Sequence, residues 1–215
     1  MINLLHKTVK FGLCAFLFFA GNLILGGCSP LQPVKSATLN TYALEAQFTP
    51  ANTTTGNLTL LVNTPNARSG YDSARMIYLK KPHELEYFSQ NQWVDNPARM
   101  LAPLLVQAIE STAKYRAVVT TRSAATADLR LDTEIIRLQQ EFRTQPSQVH
   151  LTVRAQLLDM RNKAVLATRE FDVLEVASSD DPYGGVLAAN RAVKAMLQQI
   201  ADFCVQESKA GSNPG

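Results

Sequence analysis

The chain has 215 residues, 46% hydrophobic and 18% charged, with a formal net charge of +3. Two of its 21 basic residues, Lys7 and Lys10, lie in the first 27 positions, so the remaining 188 carry 19 basic against 18 acidic residues. That balance excludes the strongly basic face expected of a nucleic-acid binder, and the length suits one domain with a real core.

The N-terminus is basic, then apolar over residues 11–25, and the run ends on Leu25-Gly26-Gly27-Cys28. A charged start, an apolar run and small residues before a cut make a secretory signal. The run of 15 residues, interrupted by Asn22, is shorter than the roughly 20 a spanning helix needs. Ending on Leu-Gly-Gly-Cys, it resembles a bacterial lipoprotein signal. The resemblance implies that the Cys28 thiol takes a diacylglycerol, that signal peptidase II cuts between Gly27 and Cys28, and that the new amino group is acylated. The three acyl chains this supplies exceed the two or so needed for stable anchoring. Cys14 then leaves with the signal and Cys28 is modified, so Cys204 alone remains and no internal disulfide forms. The expected layout is a signal over 1–27, a lipidated tether over 28–40, a folded domain over 41–207 and a disordered tail over 208–215.

The tether contains Pro30 and Pro33, shows no periodicity, and spans on the order of 35 Å when extended. A first strand is predicted at Thr41-Tyr42-Ala43-Leu44 and a second at Leu58-Thr59-Leu60-Leu61-Val62, with a Thr/Asn/Pro/Gly loop over 49–57 between them. Residues 75–80 and 85–88 read as a hairpin across the turn-like Lys81-Pro82-His83-Glu84. Asn96-Pro97 starts a helix, with Asn as N-cap and Pro in the first helical position. Its apolar stripe is Met100, Leu101, Leu104, Leu105, Ala108 and Ile109, and Pro103 interrupts it. Ala117-Val118-Val119 is a short strand. Leu129, Leu131, Thr133 and Ile135 alternate with polar residues, as do Val149, Leu151, Val153, Ala155 and Leu157, so both segments are strands with one buried face. Residues 139–148 between them read as a polar loop. Residues 159–163 connect a further hairpin into 164–176. A final helix over 186–206 carries the stripe Val186, Ala189, Val193, Met196, Leu197, Ile200, Phe203 and Cys204. The order predicts an α+β domain: a largely antiparallel sheet with two helices packed on one face.

No catalytic set emerges. Beyond the signal there are two histidines, His83 in a turn and His150 at a polar strand position, and both read as surface residues. Gly-x-Ser-x-Gly, a phosphate loop and His/Cys metal spacing do not occur, so neither cofactor nor metal is expected. Asp180-Asp181 lacks the alternating oxygen donors of a calcium loop and reads as a solvated helix entry. Cys204 lies on an apolar stripe and reads as a buried small hydrophobe. Tyr71, Tyr78, Tyr87, Phe88 and Trp93 are dense for a chain with 7% aromatics. They suit either a partner interface or the core beneath the first helix, and alternation puts Tyr87 and Phe88 on opposite faces.

Leu58 to Val62, then Tyr71, Arg75-Met76-Ile77-Tyr78, Leu85-Glu86-Tyr87-Phe88, Trp93, Asn96-Pro97 and Leu101, Leu105 and Ile109 follow in order behind the lipoprotein signal. With Leu157-Leu158-Asp159, Val165-Leu166-Ala167, Phe171 and the alanine-rich last helix, they cover residues 39–205. In this the chain resembles the ABC-type transport auxiliary lipoproteins, the paraquat-inducible protein C-like family. The resemblance implies a non-enzymatic periplasmic subunit beside an ABC permease, its ATPase and a mammalian-cell-entry (MCE) substrate-binding protein. Such systems move lipids or other hydrophobic molecules between the inner and outer membranes. Ser29 after the cysteine lacks the inner-membrane retention residue of enteric bacteria, so the periplasmic face of the outer membrane is expected, with the inner membrane as the alternative. A scaffold or assembly lipoprotein of another envelope machine is the second reading. Free sheet edges allow a homo-oligomer.

Overall fold

The structure is a computed structural model, and it describes residues 38–211 apart from residue 52. The strands are β1 (Asn40–Tyr42), β2 (Thr59–Val62), β3 (Asn66–Ala67), β4 (Arg75–Leu79), β5 (Glu86–Trp93), β6 (Ala117–Thr120), β7 (Leu129–Glu141), β8 (Gln148–Asp159) and β9 (Ala164–Val176). The helices are α1 (Pro97–Glu110) and α2 (Pro182–Gly211). The class is α+β, as predicted.

One mixed sheet holds all nine strands, and β7 is its hub. Along one side β7 meets β2, β3 and β4 in turn, each in parallel. Along the other it pairs antiparallel with β8 over its whole length. β8 pairs antiparallel with β9, which has no further neighbour among the described residues, and β4 with β5. The long pairings are thus antiparallel, and the parallel ones are short.

Register decides the core. Leu131 lies opposite Leu157 and Ile135 opposite Val153. Val153 in turn faces Phe171, and Leu151 faces Val173. These side chains point to one face, and both helices cover that face, joined to it in a single core. Every residue of the predicted α2 stripe is buried. On α1, Leu101, Leu105, Ala108 and Ile109 are buried, while Met100 and Leu104 are half-buried at its rim.

The helix starts follow from local chemistry. Asn96 Oδ1 accepts the Ala98 N–H at 2.9 Å, and Pro97 needs no N–H partner at the first position. The helix runs on through Pro103, whose ring lies on the exposed side. At α2, Asp181 Oδ1 accepts the Gly184 N–H at 2.7 Å. This is an N-cap bond, so the helix begins at Pro182, four residues earlier than its apolar stripe indicated. Asp180 and Asp181 are capping and loop-tying groups, since Asp180 Oδ1 accepts the Ser147 N–H at 2.6 Å.

Three expectations are corrected. β7 continues to Glu141, so the polar loop is shorter than 139–148, and Gln139, Gln140 and Glu141 are buried strand residues. β5 extends to Trp93 rather than ending near Phe88, and two-residue β3 was not anticipated. Residues 208–211, assigned to the tail, continue α2. The signal, the cleavage site at Gly27 and Cys28, and residues 212–215 lie outside the described residues.

Candidate functional site

A register shift between Ile135 and Arg137 re-aims the end of β7. Beyond it Leu138 stays in the core, while Arg137, Gln139 and Glu141 take the face away from the helices. On that face Gln139 pairs with His150 and Arg137 with Thr152, and Thr152 pairs with Asp172 of β9. The connection before β4 folds over them. Arg68 N–H donates to Ile135 O at 2.9 Å, and Tyr71 N–H to Arg68 O at 2.9 Å. Gly70, at φ 93°, makes this turn possible.

The result is a continuous polar network. The Tyr71 hydroxyl donates to Gln139 Oε1 at 2.5 Å, and Gln139 Nε2 to Glu141 Oε1 at 2.7 Å. Arg143 Nη2 donates to Glu141 Oε2 at 2.6 Å. His150 Nδ1 lies 3.1 Å from Glu141 Oε1, and its Nε2 lies 2.8 Å from Asp172 Oδ1. The Thr152 hydroxyl donates to Asp172. Arg137 Nη1 sits 3.0 Å from the His150 ring nitrogens. Of these groups, all but Thr152 and Asp172 line, with Leu79, Pro82, His83 and Leu85, an open cleft of about 280 Å³.

Electrostatics follow from the burial. Desolvation pushes the Glu141 carboxyl up, yet hydrogen bonds from Arg143, Gln139 and His150 outweigh it and hold it below its ordinary range. Asp172 is likewise lowered: burial raises it, and Thr152 and His150 more than compensate. Burial raises Tyr71. The histidine lies between two carboxylates, and the Thr152 hydroxyl donates to Asp172. Among the described residues, no hydroxyl or thiol is hydrogen-bonded to the His150 ring as a nucleophile would be to its base. The arrangement fits recognition: a firm polar floor with Tyr71, Arg137 and Arg143 in its lining.

The structure sorts the predicted aromatics. Tyr71 and Tyr87 are half-buried, and the Arg75 guanidinium covers the Tyr87 ring at 4.4 Å. Tyr78 packs against Phe88 at 4.5 Å and edge-on to Phe142 at 5.9 Å, and its hydroxyl donates to Glu86 Oε2 at 2.6 Å. Trp93 is 4% exposed and belongs to the core, which removes it from the candidate interface. His83 is exposed, as expected. His150 is not a free surface residue: its side chain is 13% exposed, because the outward sheet face is roofed there. Cys204 is fully buried, and burial pushes its thiol up to about 12. Sequence reasoning missed Arg137, Gln139, Glu141 and Arg143. The available signal was the period-two alternation of 137, 139 and 141, which resumes after a one-residue slip.

A family model described as the ABC-type transport auxiliary lipoprotein component matches residues 42–201. Among solved structures, the chain is similar to a Xanthomonas campestris protein of the DUF330 family at 23% identity. That match covers 80% of this chain and 99% of the other, with a TM-score of 0.73. A second similar structure is described only as an uncharacterized protein, at 14% identity, covering 78% and 99% of the two chains with a TM-score of 0.62. These likenesses show the fold. No curated protein matches the sequence.

Proposed function

Because the chain belongs to the ABC-type transport auxiliary lipoprotein family, we propose that it is a non-enzymatic, lipid-anchored envelope subunit that docks onto an MCE protein served by an ABC permease and ATPase. Acyl chains on Cys28 hold it at the periplasmic face of the outer membrane. Lipids or other hydrophobic molecules pass through or beside the partner. The observation that carries this reading is the cleft on the helix-free face, where Tyr71, Arg137 and Arg143 line a buried, hydrogen-bonded floor. Tyrosine and arginine are the residues that anchor protein interfaces. The space under α2, lined by Met76, Phe88, Trp93 and Ala189, measures about 10 Å³ and is too small for a lipid. That is room for about one water.

Tyr71→Asp and Tyr87→Asp test the docking. Burying an unpaired charge in an interface costs several kcal/mol, about 3–5 for a broken buried pair. Co-purification of the MCE partner is expected to fail for both variants while circular dichroism stays native. Retained binding by both folded variants moves the docking site elsewhere.

A further inference from the structure

Exposed apolar side chains gather where the described chain begins. Leu39 is 50% exposed, Val94 60%, Tyr183 56% and Leu187 37%. Named contacts through Tyr42 link Val94 with Tyr183, and Leu39 stands where the chain enters. Leu39 directly precedes β1, and the Val94 N–H donates to Tyr42 O at 2.7 Å. The Tyr42 ring lies 6.0 Å from that of Tyr183, and Leu187 follows Tyr183 by one turn of α2. Beyond Tyr42 the chain runs along α2 away from this end: Glu45 N–H donates to Asn190 Oδ1 at 3.0 Å, and Phe48 lies beside Gln198 and Ala201. The tether therefore joins the domain at the N-terminal end of α2, inside the apolar patch. The opposite end, at the β8–β9 turn, is about 40 Å away along β9.

The eleven residues from Cys28 to Thr38 span at most about 35 Å. An acylated Cys28 limits the distance between the bilayer and the point where the chain enters the domain to that reach, which raises the effective concentration of lipid at this end. Tyrosine, with an apolar body and a polar tip, suits the headgroup region. We propose that Leu39, Val94, Tyr183 and Leu187 form a foot that rests on the lipid surface holding the anchor, so that the domain stands on the membrane in one orientation. This rests on the lipid-anchor reading above.

The test uses the full-length lipoprotein carrying Val94→Cys, Leu187→Cys or, as the remote control, Ala164→Cys. Each is labelled with bimane and reconstituted into phosphatidylethanolamine and phosphatidylglycerol vesicles containing dibrominated phosphatidylcholine. Cys204 is fully buried and does not compete for label. Labels at 94 and 187, seated about 5–10 Å into the headgroup and acyl boundary, are expected to lose about half their emission to the brominated lipid, and the label at 164 none. Iodide is expected to quench only the label at 164. Labels at 94 and 187 that respond to iodide like the control overturn the foot. Labels shielded from iodide but untouched by bromine overturn it too, since protein rather than lipid then covers the patch. A fatty-acid label on the same preparation separates the two readings: acylated protein with unquenched probes removes the foot alone, and unacylated protein removes the anchor.

Discussion

Glu141 is a carboxylate 3% exposed, tied by Arg143, Gln139 and His150. Those bonds hold its pKa below the ordinary 4.5, so on acidification the unfolded chain takes up this proton first. The stability it contributes is complete above about pH 4.5 and drains as the pH falls through the folded value. Glu141→Gln is expected to cost about 1–3 kcal/mol at neutral pH. It also flattens the loss of stability below about pH 4.5, measured by urea unfolding at stepped pH. A variant as acid-sensitive as the parent would assign that slope to other carboxylates. Gly185 is a second point of tension. A Cβ there would meet Gln140 Oε1 at 2.2 Å. The Gln140 amide is held by Ser147 Oγ at 2.9 Å and Asp181 O at 3.1 Å, so it cannot swing away freely. Gly185→Ala is expected to destabilise by about 1–3 kcal/mol in chemical denaturation. Unchanged stability would show that the amide repacks.

The elements divide by how locally they are encoded. α1 carries its start in two adjacent residues, and Asn96→Ala is expected to cost about 1 kcal/mol, read as a shifted urea midpoint with an unchanged slope. The β4–β5 hairpin, β8, β9 and α2 were also legible, because each repeats one period over a turn or more. β3 was not, since two residues carry no period. The end of β7 was hidden by its register shift: Leu129 to Ile135 alternate in one phase, and Arg137 to Glu141 resume in the other. A reader of the sequence meets the polar Gln139, Gln140 and Glu141 just past the slip and sees a loop. The site was harder still. Tyr71 finds Gln139 68 positions away, and His150 is covered only because a distant connection folds over its face. Pairings of that range belong to the fold, and no local pattern announces them.

At the scale of the molecule, the anchor reading makes its own demand. Cys28→Ser removes the thiol at the cleavage site, so the protein is expected to accumulate as an unprocessed precursor without fatty-acid label. Undiminished labelling would end the lipoprotein reading. A tethered domain is confined to two dimensions, where copies meet repeatedly side by side. β9 is then an exposed flank, 13 residues long and, among the described residues, paired on one side only. Flush antiparallel pairing of two copies centred on Arg169, Glu170, Phe171 or Asp172 sets like charges directly opposite: Arg169 on itself, Glu170 on itself, Glu170 on Asp172, or Asp172 on itself. Each such opposition is destabilising by roughly 0.2–1 kcal/mol, and it recurs in the registers that would overlap the strands most. The charges on β9 thus act as fenders, letting a crowded lawn of domains jostle without zipping into ribbons.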